Sequence, residues 1–201
     1  VYAMDKSGKE HKLSQQQGSN TATFSTSMKY FLNIYSSATQ PPVTTLCDAT
    51  NGKVISTMVD NAELKKTVTP LLGKKEFFSF KTADGVELNG WMIKPQNFDA
   101  KKQYPVIMYQ YSGPGSQEVT DSWNMGFYPG GVWESYMAQQ GFIFACVDGR
   151  GTGARGADFE KCTYLRLGEK ESHDQVEAAI YLGNLPYLSL IHISEPTRRY
   201  A

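Results

Sequence analysis

The sequence predicts a chain in two parts: a run of short antiparallel strands, then the opening of a doubly wound α/β sheet. Three observations carry this. Short β-type runs separated by turn residues fill positions 1 to about 60. Two almost continuous apolar runs, Pro105–Tyr111 and Phe142–Val147, each end in a glycine-rich loop. Helical patterns stand between and after them, and strand, helix, strand, loop, helix is how a parallel sheet with covering helices begins.

The first part reads as three hairpins. Val1–Asp5 and His11–Ser14 flank the turn-rich Lys6–Lys9. Thr21–Phe24 and Lys29–Ser36 lie around Ser25–Met28, and Val43–Cys47 and Lys53–Val59 around Asn51-Gly52. Both residues of that last pair tolerate positive φ, which two-residue hairpin turns need. Hairpins at this spacing suit a sandwich or the blades of a propeller. Their edges stay unpaired unless neighbouring blades cover them, so further sequence is expected on the N-terminal side.

Residues 61–73 are a polar linker with room for one helical turn at Ala62–Lys66. Glu76–Lys81 and Val86–Lys94 form a hairpin around Asp84-Gly85. Pro105–Tyr111 and Phe142–Val147 are apolar enough to be covered on both faces, as parallel strands are. Between them, Gly131–Gln140 places Val132, Trp133, Tyr136 and Met137 on one helical face, with Gly141 closing the helix. Ser172–Leu182 is a second helix: Ser172 and Gln175 make a capping box, and Val176, Ala179 and Ile180 form the expected inward face. The expected domains are therefore 1–60, 74–187 and, separately, 188–201.

The bulk numbers exclude several classes. Lys+Arg and Asp+Glu are equal at 20 each, so no net charge favours nucleic acid or an anionic membrane. The longest apolar runs fall well short of the ~20 residues that span a bilayer. No signal-peptide pattern is visible at Val1–Asp5. Cys47, Cys146 and Cys162 lack CxxC spacing, and His11, His173 and His192 lack metal-ligand spacing, so neither a metal nor a cofactor is expected.

The loops and their neighbours carry a resemblance. Asp84-Gly85 with Gly90-Trp91, Tyr109-Gln-Tyr-Ser-Gly-Pro-Gly-Ser-Gln117, Asp148-Gly-Arg-Gly-Thr-Gly153, and Leu167-Gly168 followed by Asp174-Gln-Val-Glu-Ala178 occur in an order that resembles the prolyl oligopeptidase family of serine peptidases, its dipeptidyl-peptidase IV branch most closely. The resemblance implies that residues 1–60 are the last blade or blades of a β-propeller. Residues 74–187 would be the N-terminal half of an α/β-hydrolase domain. It further implies an exported, dimeric enzyme, periplasmic or at the cell surface, acting without cofactor on peptides with penultimate proline or alanine. Tripeptidyl specificity is the nearest variant.

The nucleophile elbow of that family, Gly-x-Ser-x-Gly, occurs nowhere in the 201 residues. The expectation is a truncated fragment without the Ser, His and Asp of the triad. One catalytic group of the family does match: Tyr111, in Tyr111-Ser-Gly-Pro114, aligns with the tyrosine that donates to the oxyanion. Acyl transfer builds negative charge on a carbonyl oxygen, and a preorganised O–H favours that charge. The plainer alternative is a strand-end aromatic with its hydroxyl in water. Asp148 and Arg150 are expected to fix their loop and take no part in the chemistry.

Two readings from other classes remain open at this level. Gly151, Gly153 and Gly156 match G-x-G-x-x-G after a strand, a dinucleotide signature, although no clear helix follows. A non-catalytic peptide-binding module is the other. Finally, Leu188–Arg198 resembles the translation of a transposon-based sequencing adapter, so residues 188–201 are expected to be non-native and to make no specific contacts.

Overall fold

The computed structural model describes residues 1–123 and 131–189. They fall into two compact units.

The first unit comprises Val1–Leu72 with the described residues from Thr120 to Trp123. Strands β1 (Tyr2–Met4) and β2 (Glu10–Lys12) pair antiparallel. The Asp5 carboxylate holds their turn by accepting the N–H of Ser7 at 2.8 Å and of Lys9 at 3.0 Å. Strands β3 (Ser19–Phe24), β4 (Tyr30–Ser37), β5 (Gln40–Asp48) and β6 (Val54–Val59) make a four-stranded antiparallel meander in sequence order. The alternation expected of half-covered strands sets its core. Phe31 and Cys47 are buried with Leu13, and Phe24 stacks on Phe31 at 5.1 Å. Every residue of β6 is exposed, Ile55 and Met58 among them. The segment from Thr120 packs on the end of β4: Asp121 accepts the N–H of Ala38 at 2.8 Å. A short helix, α1 (Ala62–Val68), and a 3₁₀ turn (Thr69–Leu71) end the unit with no buried side chain.

The second unit is a five-stranded mixed sheet of β7 (Lys75–Lys81), β8 (Glu87–Ile93), β9 (Tyr104–Tyr109), β10 (Ile143–Asp148) and β11 (Leu188–Ser189). Their order is β11-β9-β10-β8-β7. The hairpin β7–β8 joins β10 antiparallel, whereas β10, β9 and β11 run parallel. All six residues of β10 are buried, as the apolarity of Ile143–Val147 requires. Successive side chains point to opposite faces. Phe144 and Cys146 meet Trp91, Ile93 and Ala138 of helix α2 (Val132–Gln139). Ile143, Ala145 and Val147 meet Leu182 and Ala178 of helix α4 (Glu169–Gly183) on the other face. Burial in a dry strand also pushes the Cys146 thiol pKa upward.

Five expectations are corrected. Helix α2 turns Glu134, Ser135 and Ala138 inward, while Val132, Trp133 and Tyr136 are more than half exposed. The Ser135 hydroxyl is needed inside, where it accepts the Gly73 N–H at 2.9 Å. Helix α4 buries Glu171, Asp174, Ala178 and Leu182, and exposes Val176 and Ile180. It begins at Glu169 rather than Ser172, because Glu171 reaches back to accept the Gly168 N–H at 2.9 Å. Residues Ala157–Lys161 form a short helix, α3, where none was expected. Leu188, the first residue of the expected non-native tail, is buried at 4% exposure and pairs with Tyr104 as β11. The rest of that tail, 190–201, lies outside the described residues, as does His192.

Candidate active site

The carboxyl ends of β9 and β10 place two loops side by side, where open α/β sheets bind ligands. The first leaves β9 after Tyr109. Tyr111, 65% exposed, is its second residue, and its hydroxyl has no hydrogen-bond partner among the described residues. With Gln110, Ser112 and Pro114 it lines an open depression of about 510 Å³, to which Leu167 and Glu171 also contribute.

The far end of this loop is tied to β10. Asp148, the last residue of that strand, is 5% exposed. Its carboxylate accepts the Val119 N–H at 2.8 Å and the Glu118 N–H at 3.1 Å. Burial pushes the Asp148 carboxyl up, and the amide hydrogen bonds from Val119 and Glu118 oppose it. The Glu118 carboxyl is raised too, first by burial and then by the Asp148 charge. Further fastenings come from Trp91, whose Nε1 donates to the Glu118 carbonyl at 3.0 Å, and from Gly153, whose N–H donates to the Ser116 carbonyl at 2.9 Å. Ser116 Oγ donates to the Gly113 carbonyl at 2.8 Å.

The second loop is held by Arg150. Its Nη2 donates to Asp174 Oδ1 at 2.6 Å and its Nε to Oδ2 at 3.0 Å, while Nη1 reaches Asp84 Oδ2 at 2.7 Å. Its backbone N–H also donates to Asp174 at 2.6 Å. Asp174 is fully buried, so the guanidinium is its compensating charge. The Thr82 hydroxyl and then Arg150 hold the Asp84 carboxyl at about 2. His173 Nδ1 stands 3.2 Å from Arg150 Nη2. Asp148 and Arg150 are thus braces within the fold, in the role expected of them.

The dinucleotide reading is corrected by the same loop. A phosphate cradle needs free backbone N–H groups. The Gly151 N–H donates to the Phe159 carbonyl at 3.0 Å, and that of Gly153 to Ser116. Gly156 opens a helix of only five residues.

What sequence reasoning missed is the linkage. Asp84, Asp148, Arg150 and Asp174 all stand in the quoted motifs, but nothing in their spacing joins them. Asp174 lies on the face of Glu171, Ala178 and Leu182, away from the Val176, Ala179 and Ile180 face that apolar periodicity favours, so no local signal marked it.

A β-sheet meander followed by a mixed sheet of this order, with helices on both faces, is the end of a β-propeller and the N-terminal half of an α/β-hydrolase. Residues 132–193 match the model of the prolyl oligopeptidase family. The crystal structure of Porphyromonas gingivalis dipeptidyl peptidase 4 superposes with a TM-score of 0.87 at 44% identity, over 94% of this chain and 26% of that one. A protein of Trichophyton verrucosum named "probable dipeptidyl-aminopeptidase B" is 32% identical over 94% of this chain and 21% of its own length. An Aspergillus flavus protein named "probable dipeptidyl peptidase 4" is 29% identical over 86% of this chain and 22% of its own. Residues 132–193 are thus those of the prolyl oligopeptidase family, and the chain as a whole is similar to dipeptidyl peptidases. It spans between a fifth and about a quarter of the length of these relatives.

Proposed function

We propose that these residues serve a serine exopeptidase that releases Xaa-Pro or Xaa-Ala dipeptides from peptide N-termini, exported and dimeric, with Tyr111 in its oxyanion hole. A serine outside this sequence attacks the scissile carbonyl, with histidine taking the proton and aspartate orienting the histidine. Negative charge then develops on the carbonyl oxygen. The Tyr111 O–H donates to that oxygen and stabilises the tetrahedral intermediate more than the ground state. The serine acyl-enzyme forms as the amine leaves, and water hydrolyses it.

The observation that supports this most is the state of Tyr111. Its hydroxyl is unclaimed among the described residues, it stands at the carboxyl edge of β9, and its loop is fastened at both ends.

The test is Tyr111→Phe in the full-length peptidase, assayed on Gly-Pro-p-nitroanilide. The expected loss in kcat is roughly 10²–10³-fold, with KM little changed. An unchanged kcat returns Tyr111 to the strand-end alternative. The 201-residue chain, lacking the Gly-x-Ser-x-Gly elbow, is expected to show no turnover above a buffer blank. An Ala-Ala-Pro anilide, cleaved in preference to Gly-Pro, assigns tripeptidyl release instead.

A further inference from the structure

The geometry points to Asp148 as the positioning residue of the Tyr111 loop. This rests on the reading of Tyr111 as an oxyanion donor. A donor works only if held within about half an ångström of its productive place. Tyr111 lies beyond the sheet, since β9 ends at Tyr109. Its loop is slung between two fixed points, and both are on β10. At the near end, Tyr109 pairs with Cys146. At the far end, Glu118 and Val119 donate to the carboxylate of Asp148, two residues further along the same strand. The span from 110 to 117 therefore has the separation of its ends set by one strand. Ser116 shortens the free part, through its bonds to Gly113 and Gly153.

The chemistry of the brace demands a carboxylate. Both loop groups are N–H donors. Oδ2 accepts both, Val119 at 2.8 Å and Glu118 at 3.1 Å, and Oδ1 accepts Glu118 as well at 3.1 Å; asparagine would keep one shared oxygen but turn an amide N–H₂ against the Glu118 N–H. Asp148 is 5% exposed, so it cannot trade these partners for bulk water without opening the loop.

The experiment is a double-mutant cycle in the full-length peptidase, with kcat and KM measured for Asp148→Asn, Tyr111→Phe and the pair. Asp148→Asn is expected to lower kcat about tenfold and to leave KM within about twofold, because a displaced donor costs the transition state more than the bound substrate. Combined with Tyr111→Phe it should cost nothing more, since there is no hydroxyl left to misplace. The same tenfold loss in both backgrounds, or no loss in either, overturns the assignment. An unchanged kcat in Tyr111→Phe alone instead overturns the donor reading beneath it. If Asp148→Asn does not fold, Ser116→Ala takes its place, with an expected threefold loss that vanishes in the Tyr111→Phe background. Persistence of that loss there overturns the assignment equally.

Discussion

Phe78 crosses the face of Gly90 so closely that a Cβ at position 90 would lie 2.4 Å from its Cζ. The two residues are directly opposed across the β7–β8 pair. On the next strand the Cys146 carbonyl would be 2.8 Å from the same atom. Gly90 is therefore in the strand for space.

Gly90→Ala is expected to destabilise the second unit by about 1–3 kcal/mol, the usual cost of overfilling a packed site. Adding Phe78→Leu should recover only part, because the Cys146 carbonyl belongs to the backbone and cannot retreat. Urea unfolding midpoints of the single and double variants check this, and full recovery would place the whole clash on the Phe78 ring.

Arg150→Met should cost about 3–5 kcal/mol, since it strands the fully buried Asp174 without its counter-charge. Arg150→Lys is not expected to rescue it. One ammonium cannot span both oxygens of Asp174 and reach Asp84 as well. Chemical denaturation measures the loss, and a cost below about 1 kcal/mol would make the network an accessory.

Asp84 sets a pH dependence of definite sign. Its carboxyl titrates at about 2 when folded, against an ordinary value of 3.8. A depressed value means that the ionised form is the one favoured by folding, so its contribution is complete above about pH 4 and lost as pH falls towards 2. Asp84→Asn should therefore have a lower Tm than the parent at pH 6. The gap should close progressively below pH 4. A gap constant down to pH 2 would assign the difference to packing.

Much of this architecture was legible in the sequence. Uniform apolarity marked β9 and β10, and turn residues marked the hairpins. The inward faces of α2 and α4 were not legible. A periodicity argument takes apolar as inward, and here Ser135, Glu171 and Asp174 are inside because they have particular partners. Tyr111 was expected as the last residue of its strand, and β9 stops two residues short of it. Its loop's fastening to Asp148 joins residues about 30 positions apart, which local patterns do not encode.

Leu188→Ala examines the residue at which the sequence was expected to turn foreign. Leu188 packs among Tyr104, Val106 and Leu182. Its truncation should cost about 2–3 kcal/mol, towards the lower end for a buried leucine because β11 is an edge strand. No change in the unfolding midpoint would show that the chain from Leu188 onward leaves the sheet.

The brace at Arg150 also imposes an order on biosynthesis. Its partners lie 66 residues before it and 24 after. At roughly 5–20 residues per second, the ribosome adds the residues between Asp84 and Asp174 in about 5–20 s. Through that interval the β7–β8 turn can form, but Asp84 first lacks Arg150, and Arg150 once made still lacks Asp174. The network that joins the β7–β8 turn to the β10 loop and α4 is therefore complete only once Asp174 has been translated.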